Sequence, residues 1–361
     1  MAMAGDYPTF FGDDEALIEE MSSVNIRAVT ALAPTDKEID GEYPHLHNVS
    51  YLVLQGARDA DITDFRGDRQ FYRTTFGQYE DGFKAALYIG DANHAQFNTS
   101  WGRLDQSLPR GLFLNQQETM VPEAQRQIAK VYVSAFMERI FHGEMVYDKL
   151  FQDYRHGRDW LPDTALISQH QHAYYRPLVQ FDRGKMIDLN VEGFANWEVT
   201  TPEDRKEKAL PADALKLEWR DKAAYTIDLS QNVLETAAHE PAKYITLTMA
   251  NVDAADDGGR LPDIDVELET VDGLSVRRSL DEFGPIPPVI KTDFTHFGLF
   301  DSMFRDGKYS PAWEPIFQTI DLPLEAFTQA DPAFDPTEIA SFTLHFHAPS
   351  GKILLQEVGV W

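Results

Sequence analysis

The chain has no cysteine among its 361 residues. Disulfide bonds, thiolate zinc sites and a cysteine nucleophile are therefore excluded. The sequence also lacks a run of the roughly 18 apolar residues that a bilayer-spanning helix needs. Its first residues, MAMAGDYPTFFGDDEALIEE, contain neither the basic nor the apolar region of a signal peptide. We expect no membrane association, and secretion only if the chain is a fragment of a longer precursor.

Basic residues are scarce relative to acidic ones. The sequence has 32 Lys and Arg against 59 Asp and Glu, which gives a net charge of -27. This surplus repels phosphate backbones and anionic lipid headgroups, so neither nucleic acid nor a membrane surface is an expected partner. The acidity fits either an ordinary acidic protein or adaptation to high salt, where screening weakens the mutual repulsion of carboxylates.

The first part of the chain alternates apolar strands with helical patterns. Continuous apolar runs occur in IRAVTALAP (26–34), VSYLVLQGARD (49–59) and KAALYIG (84–90). A helix is predicted over 122–142, with an i, i+4 stripe of Ile128, Tyr132, Phe136 and Ile140. Continuous apolar strands alternating with helices indicate an α/β fold with a mostly parallel sheet.

Beyond residue 160 the pattern changes to a two-residue alternation of apolar and polar residues. KYITLTMANVD and SFTLHFHA are examples, and turn signals such as DDGG and PSGK separate the stretches. This alternation predicts an all-β sandwich, with a jelly-roll-like arrangement of strands. The sequence therefore predicts two domains, 1–160 and 161–361.

Asp59 and His94 each follow one of two successive apolar runs. The carboxyl ends of neighbouring parallel strands meet at one edge of a sheet, where ligands bind. A carboxylate beside an imidazole fixes its tautomer and orientation, so that the imidazole can act as a general base. Taken singly, Asp59 is better explained as a helix cap and His94 as a hydrogen-bonded loop residue; as a pair in this order, they favour the catalytic interpretation.

Asp59 ends the loop Gly56-Ala57-Arg58-Asp59, and His94 ends the loop Gly90-Asp91-Ala92-Asn93-His94. With these two loops, residues 20–160 resemble the C-terminal half of an α/β-hydrolase of the esterase, lipase and polyester-hydrolase branch. The resemblance implies a carboxylic ester hydrolase with a Ser-His-Asp mechanism, in which Asp59 is the acid and His94 the base. It further implies a small ester or polyester substrate and no organic cofactor.

The resemblance is incomplete, because no G-x-S-x-G nucleophile motif occurs in the sequence. The hydroxyl nearest to His94 in the sequence is that of Ser100, the candidate nucleophile. The loop residues expected to line the substrate are Asn93, Phe97, Asn98 and Trp101.

Two other functions stay open. The first is a non-catalytic or carbohydrate-binding accessory protein derived from a hydrolase. In it, Trp197, Trp219 and Trp313 stack on sugar, unless they pack in the core. The second is a metal-dependent enzyme that uses three His-x-His pairs, His45/His47, His170/His172 and His345/His347.

Two further expectations concern ions and partners. The acidic loop NVDAADDGGRLPDID is a candidate structural calcium site, with Asp253, Asp256 and Asp257 as ligands. Half a hydrolase sheet also leaves an exposed edge strand. A homo-oligomer, or a partner chain that completes the sheet, is a candidate means of covering it.

Overall fold

The computed structural model describes residues 1–77, 81–185, 189–229, 234–254, 261–301, 303, 307–347 and 349–361. The chain forms two compact units. The first unit comprises Met1–Ala173, Asp204–Lys208 and Ile290–Glu314. The second unit comprises Tyr174–Glu203, Ala209–Val289 and Pro315–Trp361.

The first unit is built on a small four-stranded sheet with the order β1-β3-β5-β6. The strands of the first unit are β1 (Ala28–Leu32), β2 (Leu46–His47), β3 (Ser50–Gly56), β4 (Thr74–Thr75), β5 (Phe83–Ile89) and β6 (Leu166–His172). β1, β3 and β5 are parallel, β6 is antiparallel to β5, and β2 and β4 form a separate short pair. Every residue of β3 and β5 is buried, as continuous apolar runs predict.

The described part of the first unit also contains α-helices. They are α1 (Ala2–Gly5), α2 (Tyr7–Phe10), α3 (Glu15–Met21), α4 (Arg66–Tyr72), α5 (Pro122–Met137), α6 (Asp148–Gln152) and α7 (Gly298–Asp301). α5 continues into a π-helical turn, Glu138–His142. The 3₁₀ turns are Ala95–Phe97, Arg110–Phe113, Met145–Tyr147 and Tyr154–Gly157.

The predicted stripe of α5 faces the core of the first unit. Ile128, Tyr132, Phe136 and Ile140 are all buried, and they join one apolar cluster with residues of β3 and β5. Gly143 follows the π-helical turn in the left-handed conformation (φ 72°), which ends the helix. The helix predicted over 122–142 is confirmed.

The second unit is a large antiparallel sheet. Its strands are β7 (Arg176–Gln180), β8 (Asn190–Thr200), β9 (Ala214–Asp228), β10 (Tyr244–Asn251), β11 (Ile264–Thr270), β12 (Ser275–Ser279), β13 (Gln318–Pro323), β14 (Ile339–Phe346) and β15 (Gly351–Val360). The order is β12-β11-β14-β9-β15-β10-β13, with β7 beside β15 and β8 beside β9. The helix α8 (Leu324–Ala330) and the 3₁₀ turns Leu280–Glu282 and Pro336–Glu338 connect strands.

This sheet curls around its main apolar core. β14 pairs with the second half of the long strand β9, from Ala223 to Asp228, and β15 pairs with the first half, from Leu215 to Trp219. Inward side chains from both halves of β9 join one apolar cluster with those of β10, β11, β14 and β15. The second unit is thus jelly-roll-like, as the two-residue alternation predicts.

Each unit is built from three separate stretches of the chain. Residues 166–172, which the sequence predicts in the sandwich, form β6 of the first unit because they pair with β5 along their whole length. Two later segments also belong to the first unit, where the Arg205 N–H donates to Glu314 Oε2 (3.1 Å). The other carboxylate oxygen of Glu314 accepts from the Phe65 N–H (3.1 Å). The two units therefore do not coincide with the predicted domains 1–160 and 161–361.

Among the described residues, no helix is both long and apolar enough to cross a bilayer.

Candidate functional site

Two loops meet at the carboxyl ends of β3 and β5. The Ala57 N–H donates to the Ile89 carbonyl (2.9 Å), and the Arg58 N–H donates to the Ala92 carbonyl (2.9 Å). A Cβ on Gly56 would lie 2.3 Å from the Ala92 oxygen, so only glycine permits this approach. These contacts bring the loop that follows β3 next to the loop that follows β5.

Asp59 is fully buried and saturated with hydrogen bonds. Its Oδ1 accepts from the Asp61 and Ile62 N–H groups (2.9 and 2.6 Å). Its Oδ2 accepts from Gln55 Nε2 (3.0 Å) and lies 2.9 Å from His94 Nδ1. The structure thus brings the predicted pair together at one rim of the sheet. Asp61 and Ile62 lie in a turn ahead of α4, which begins at Arg66, so Asp59 does not act as the helix cap that the alternative expects.

His94 presents a second nitrogen away from Asp59. Its Nε2 lies 4.0 Å from Asp61 Oδ2, and its ring stacks on Trp101 with centroids 5.7 Å apart and planes 10° apart. Burial lowers the pKa of the His94 imidazole, but the hydrogen bond and charge of Asp59 outweigh burial, so the pKa lies above 6.5. The arrangement holds a proton on Nδ1 and leaves Nε2 to accept or release one.

Asp105 is a residue of this site that the sequence did not predict. Its Oδ2 accepts from the N–H groups of Ala60 (2.8 Å) and His94 (3.2 Å), and its Oδ1 from Ala95 (2.8 Å). Burial, followed by the charge of Asp59, raises the pKa of Asp105 to about 6. Asp105 fastens both loops through their backbone, which no sequence spacing reveals.

The other predicted loop residues have different positions. Asn93 is buried and hydrogen-bonds the Arg103 carbonyl (2.8 Å) and the Gln96 N–H (3.1 Å), so it supports the loop and does not line an open site. Asn98 Oδ1 accepts from the N–H groups of Ser100 and Trp101. Phe97 is half-buried and packs against the core of the first unit.

Ser100 and Trp101 are both exposed. Trp101 is 65 % exposed and contacts His94. Ser100 also faces solvent, but it is not among the hydrogen-bond partners that the described residues give His94. The structure does not bring the candidate nucleophile to the base.

The Asp59–His94 pair can be tested by its titration. We expect Asp59→Asn to lower the pKa of His94, because only the charges of Asp105 and Asp61 would then oppose the effect of burial. The measurement is the histidine ring shift in two-dimensional NMR as a function of pH. Unchanged titration in Asp59→Asn would contradict the contact, and His142→Gln, at an exposed histidine, serves to check the assignment.

A second group of polar side chains lies on the second unit. In β11 and β14 the apolar residues Val266, Leu268, Phe342 and Leu344 face the core, so the alternate residues face outward. We call the following set the outward row: Thr226, Asp265, Glu267, Arg277, Thr343, His345 and His347.

Members of the outward row hydrogen-bond across four strands. Arg277 Nε donates to Glu267 Oε2 (2.7 Å), and Arg277 Nη2 lies 3.0 Å from His345 Nε2. The Glu267 Oε2 to His345 Nε2 distance is 3.3 Å. Burial, followed by the charge of Arg277, lowers the pKa of His345, which keeps its ring neutral at pH 7. On either side of this cluster, His347 Nε2 lies 2.9 Å from Asp265 Oδ2, and the Thr226 and Thr343 hydroxyls are 3.0 Å apart.

The His-x-His pairs do not form a metal centre in the part of the chain that the structure describes. There, no group of three or more His, Asp or Glu side chains is arranged to hold a metal ion. His45 and His47 are exposed, and burial lowers the pKa of His170 to about 3. In the predicted calcium loop, Asp256 and Asp257 lie outside the described residues. Asp253 donates its N–H to Asn251 Oδ1 (2.9 Å).

The three tryptophans considered for sugar stacking differ in exposure. Trp219 is 1 % exposed and packs on Phe346, so it belongs to the core. Trp313 is half-buried in the first unit. Trp197, on β8, is 45 % exposed.

Comparisons with known proteins identify no family for the chain. No protein-family model matches, and no curated protein matches. The chain is similar to the solved family 30 carbohydrate-binding module of a Clostridium thermocellum cellulosomal cellulase. That match has 12% identity and a TM-score of 0.28, and it covers 47% of this chain and 85% of that chain.

Two further solved structures are similar. One is a family 11 carbohydrate-binding module from Clostridium thermocellum in complex with a β-1,3-1,4-mixed-linked tetrasaccharide. It has 10% identity and a TM-score of 0.27, with 52% of this chain and 94% of that chain covered. The other is a xylan-binding domain of family 22. It has 8% identity and a TM-score of 0.27, with 49% of this chain and 88% of that chain covered.

The α/β-hydrolase resemblance is wrong, and so is the esterase, lipase or polyester-hydrolase function predicted from it. No hydrolase family model matches the chain, and the structures it is similar to include carbohydrate-binding modules. The physical reason is that only three parallel strands and two rim loops carried the resemblance. Many α/β sheets place polar loops at the carboxyl ends of such strands.

Proposed function

We propose that this chain binds neutral carbohydrate polymers on the outward row of the second unit. The observation that carries the proposal is the hydrogen-bonded arrangement of Arg277, Glu267 and His345 on a solvent-facing sheet surface. Side chains that hold one another in place lose little rotamer freedom when a ligand arrives.

The chemistry of the outward row suits sugar hydroxyl groups. Each hydroxyl both donates and accepts, and the row offers carboxylate acceptors, a guanidinium donor, neutral imidazole and threonine hydroxyls side by side. Hydrogen bonds to the charged members are the stronger ones. The outward row also crosses several strands, as an extended sugar chain bound across the sheet would.

The charge of the chain selects among polysaccharides. A net charge of -27 repels uronate-rich or sulfated polymers at low ionic strength. Neutral glucans and xylans carry no such penalty. The mixed-linked tetrasaccharide and the xylan named for two similar structures make these two polymers the first probes.

Affinity gel electrophoresis and calorimetry with mixed-linked β-glucan and xylan test the proposal. We expect wild-type protein to be retarded by at least one of them, and Glu267→Gln and Arg277→Ala to weaken binding at least about tenfold, the equivalent of about 1.4 kcal/mol.

Glu282→Gln is the matched control. Glu282 is also paired with an arginine, Arg278, but it lies outside the outward row. Absence of retardation by both neutral polymers would reject carbohydrate binding. Loss of binding in Trp197→Ala, with Glu267→Gln unaffected, would instead move the site to the exposed tryptophan of β8.

A further inference from the structure

β1 is an open edge of the sheet in the first unit. It pairs in parallel with β3, from Ala28 opposite Ser50 to Leu32 opposite Leu54. The Arg27 carbonyl accepts from Ser50, and the Ala33 N–H donates to Leu54, so the odd-numbered residues bond to β3. The N–H and C=O groups of Ala28, Thr30 and Leu32 therefore point away from β3. Within the described parts of the chain they have no hydrogen-bond partner.

The two edges of this sheet differ in burial. Six of the seven residues of β6, the opposite edge, are buried, whereas no residue of β1 is. Leu32 is 40 % exposed, and Phe141, against which the Arg27 guanidinium stacks at 5.6 Å, is 48 % exposed. An uncovered edge strand with apolar neighbours is a template for pairing with another strand.

We propose that β1 pairs antiparallel with β1 of a second copy of this chain, about a two-fold axis at Thr30. The outward groups belong to three alternate residues, which are symmetric about the central one. In an antiparallel ladder, residues exchange two hydrogen bonds at every second position. Pairing Ala28 with Leu32 of the second copy, and Thr30 with its own counterpart, satisfies all the outward groups of both copies.

The side chains also fit this register. The small Ala28 faces the large Leu32 of the second copy, and the reverse holds on the other side of the axis. Thr30 faces another threonine, a favourable cross-strand pair. The same patch serves both copies, as a two-fold dimer requires. The two four-stranded sheets join into one continuous sheet without a free β1 edge.

Charge sets the conditions for this association. Each copy carries a net charge of -27, so two copies repel at low ionic strength. The Debye length falls from about 10 Å at 0.1 M salt to about 3 Å at 1 M, which removes most of that repulsion. Dimerisation should therefore strengthen as salt is added.

Sedimentation velocity of the 361-residue chain at 1–100 μM, in 0.1 and 1 M NaCl, tests the proposal. We expect a species of twice 41.0 kDa that is more populated in 1 M NaCl. Leu32→Lys should raise the dimer Kd by about 100-fold, because a charge on an edge strand opposes pairing. Leu112→Lys is the matched control, at a leucine that is 67 % exposed outside β1.

A compensating change tests the register itself. In the double variant Leu32→Lys with Ala28→Glu, each lysine faces the new glutamate of the second copy, so dimerisation should return. Circular dichroism verifies that each variant is folded. A wild-type chain that stays monomeric at 100 μM in both salts overturns the proposal. So does a dimer that Leu32→Lys leaves intact, and failure of the double variant to restore association overturns the register.

Discussion

Replacing Arg205 with alanine is expected to destabilise the first unit by about 3–5 kcal/mol, the usual cost of breaking a buried charge pair. Arg205 is 1 % exposed. Its Nη1 donates to the Thr63 carbonyl (2.9 Å), its Nη2 donates to the Ala312 carbonyl (3.2 Å), and its guanidinium lies 4.8 Å from the centre of the Phe294 ring. The substitution removes these contacts together with the positive charge beside Glu314.

The loss should depend on pH. Burial raises the pKa of Glu314 to about 7, against the opposing charge of Arg205. Without that charge the pKa rises further. A carboxyl group whose pKa is raised on folding stabilises the folded protein at low pH. This stabilisation is lost as the pH rises through the folded-state pKa. The destabilisation by Arg205→Ala should therefore be larger at pH 8 than at pH 5.5.

Guanidinium denaturation followed by circular dichroism at both pH values measures this effect. Arg220→Ala, at an exposed arginine of β9, is the control and should change stability by less than about 0.5 kcal/mol. If Arg205→Ala lowered the free energy of unfolding by no more than the control does, or by the same amount at both pH values, Arg205 would not offset the charge of Glu314.

Trp219→Ala should destabilise the second unit by a similar amount, about 3–5 kcal/mol. Trp219 lies in β9 where its pairing partner changes from β14 to β15. Its ring packs on Phe346, 4.7 Å between centroids, and a Cβ on Gly351 would lie 2.3 Å from it. Replacing the buried ring with alanine removes these contacts and leaves a cavity.

The comparison residue is the tryptophan of β8. Trp197→Ala should cost less than about 1 kcal/mol, because 45 % of that side chain is already exposed. Both variants are measured by chemical denaturation under identical conditions. Equal midpoints for the two would mean that the core of the second unit does not depend on Trp219.

Much of the architecture could be predicted from local patterns. Continuous apolar runs identified β3 and β5, the i, i+4 stripe identified α5, and the two-residue alternation identified the curled sheet. These predictions succeed because a strand or helix that is buried on one face or both must place its apolar residues at a regular spacing in the sequence. The contact between Asp59 and His94 followed from strand order alone.

Long-range pairings escaped prediction. Asp105 reaches the site through backbone N–H groups that no spacing reveals. The His345/His347 pair was one of three candidate metal-ligand pairs. Its partners lie 68 and 82 residues away in the sequence, and the strand register decides what the pair contacts. The prediction of an ester hydrolase failed for a related reason. Many sheets have short loops at the ends of their strands, and such loops do not specify a reaction.

The exchange of segments between the two units has a consequence for biosynthesis. Because Arg205 and Glu314 close the first unit, its amino-terminal 173 residues lack part of their interior when they leave the ribosome. Assembly of this part must wait until residue 314 has been translated, by which time most strands of the second unit have also emerged. A nascent chain halted at 173 should thus be a substrate for chaperones and proteases, whereas one halted after 314 can bury the glutamate.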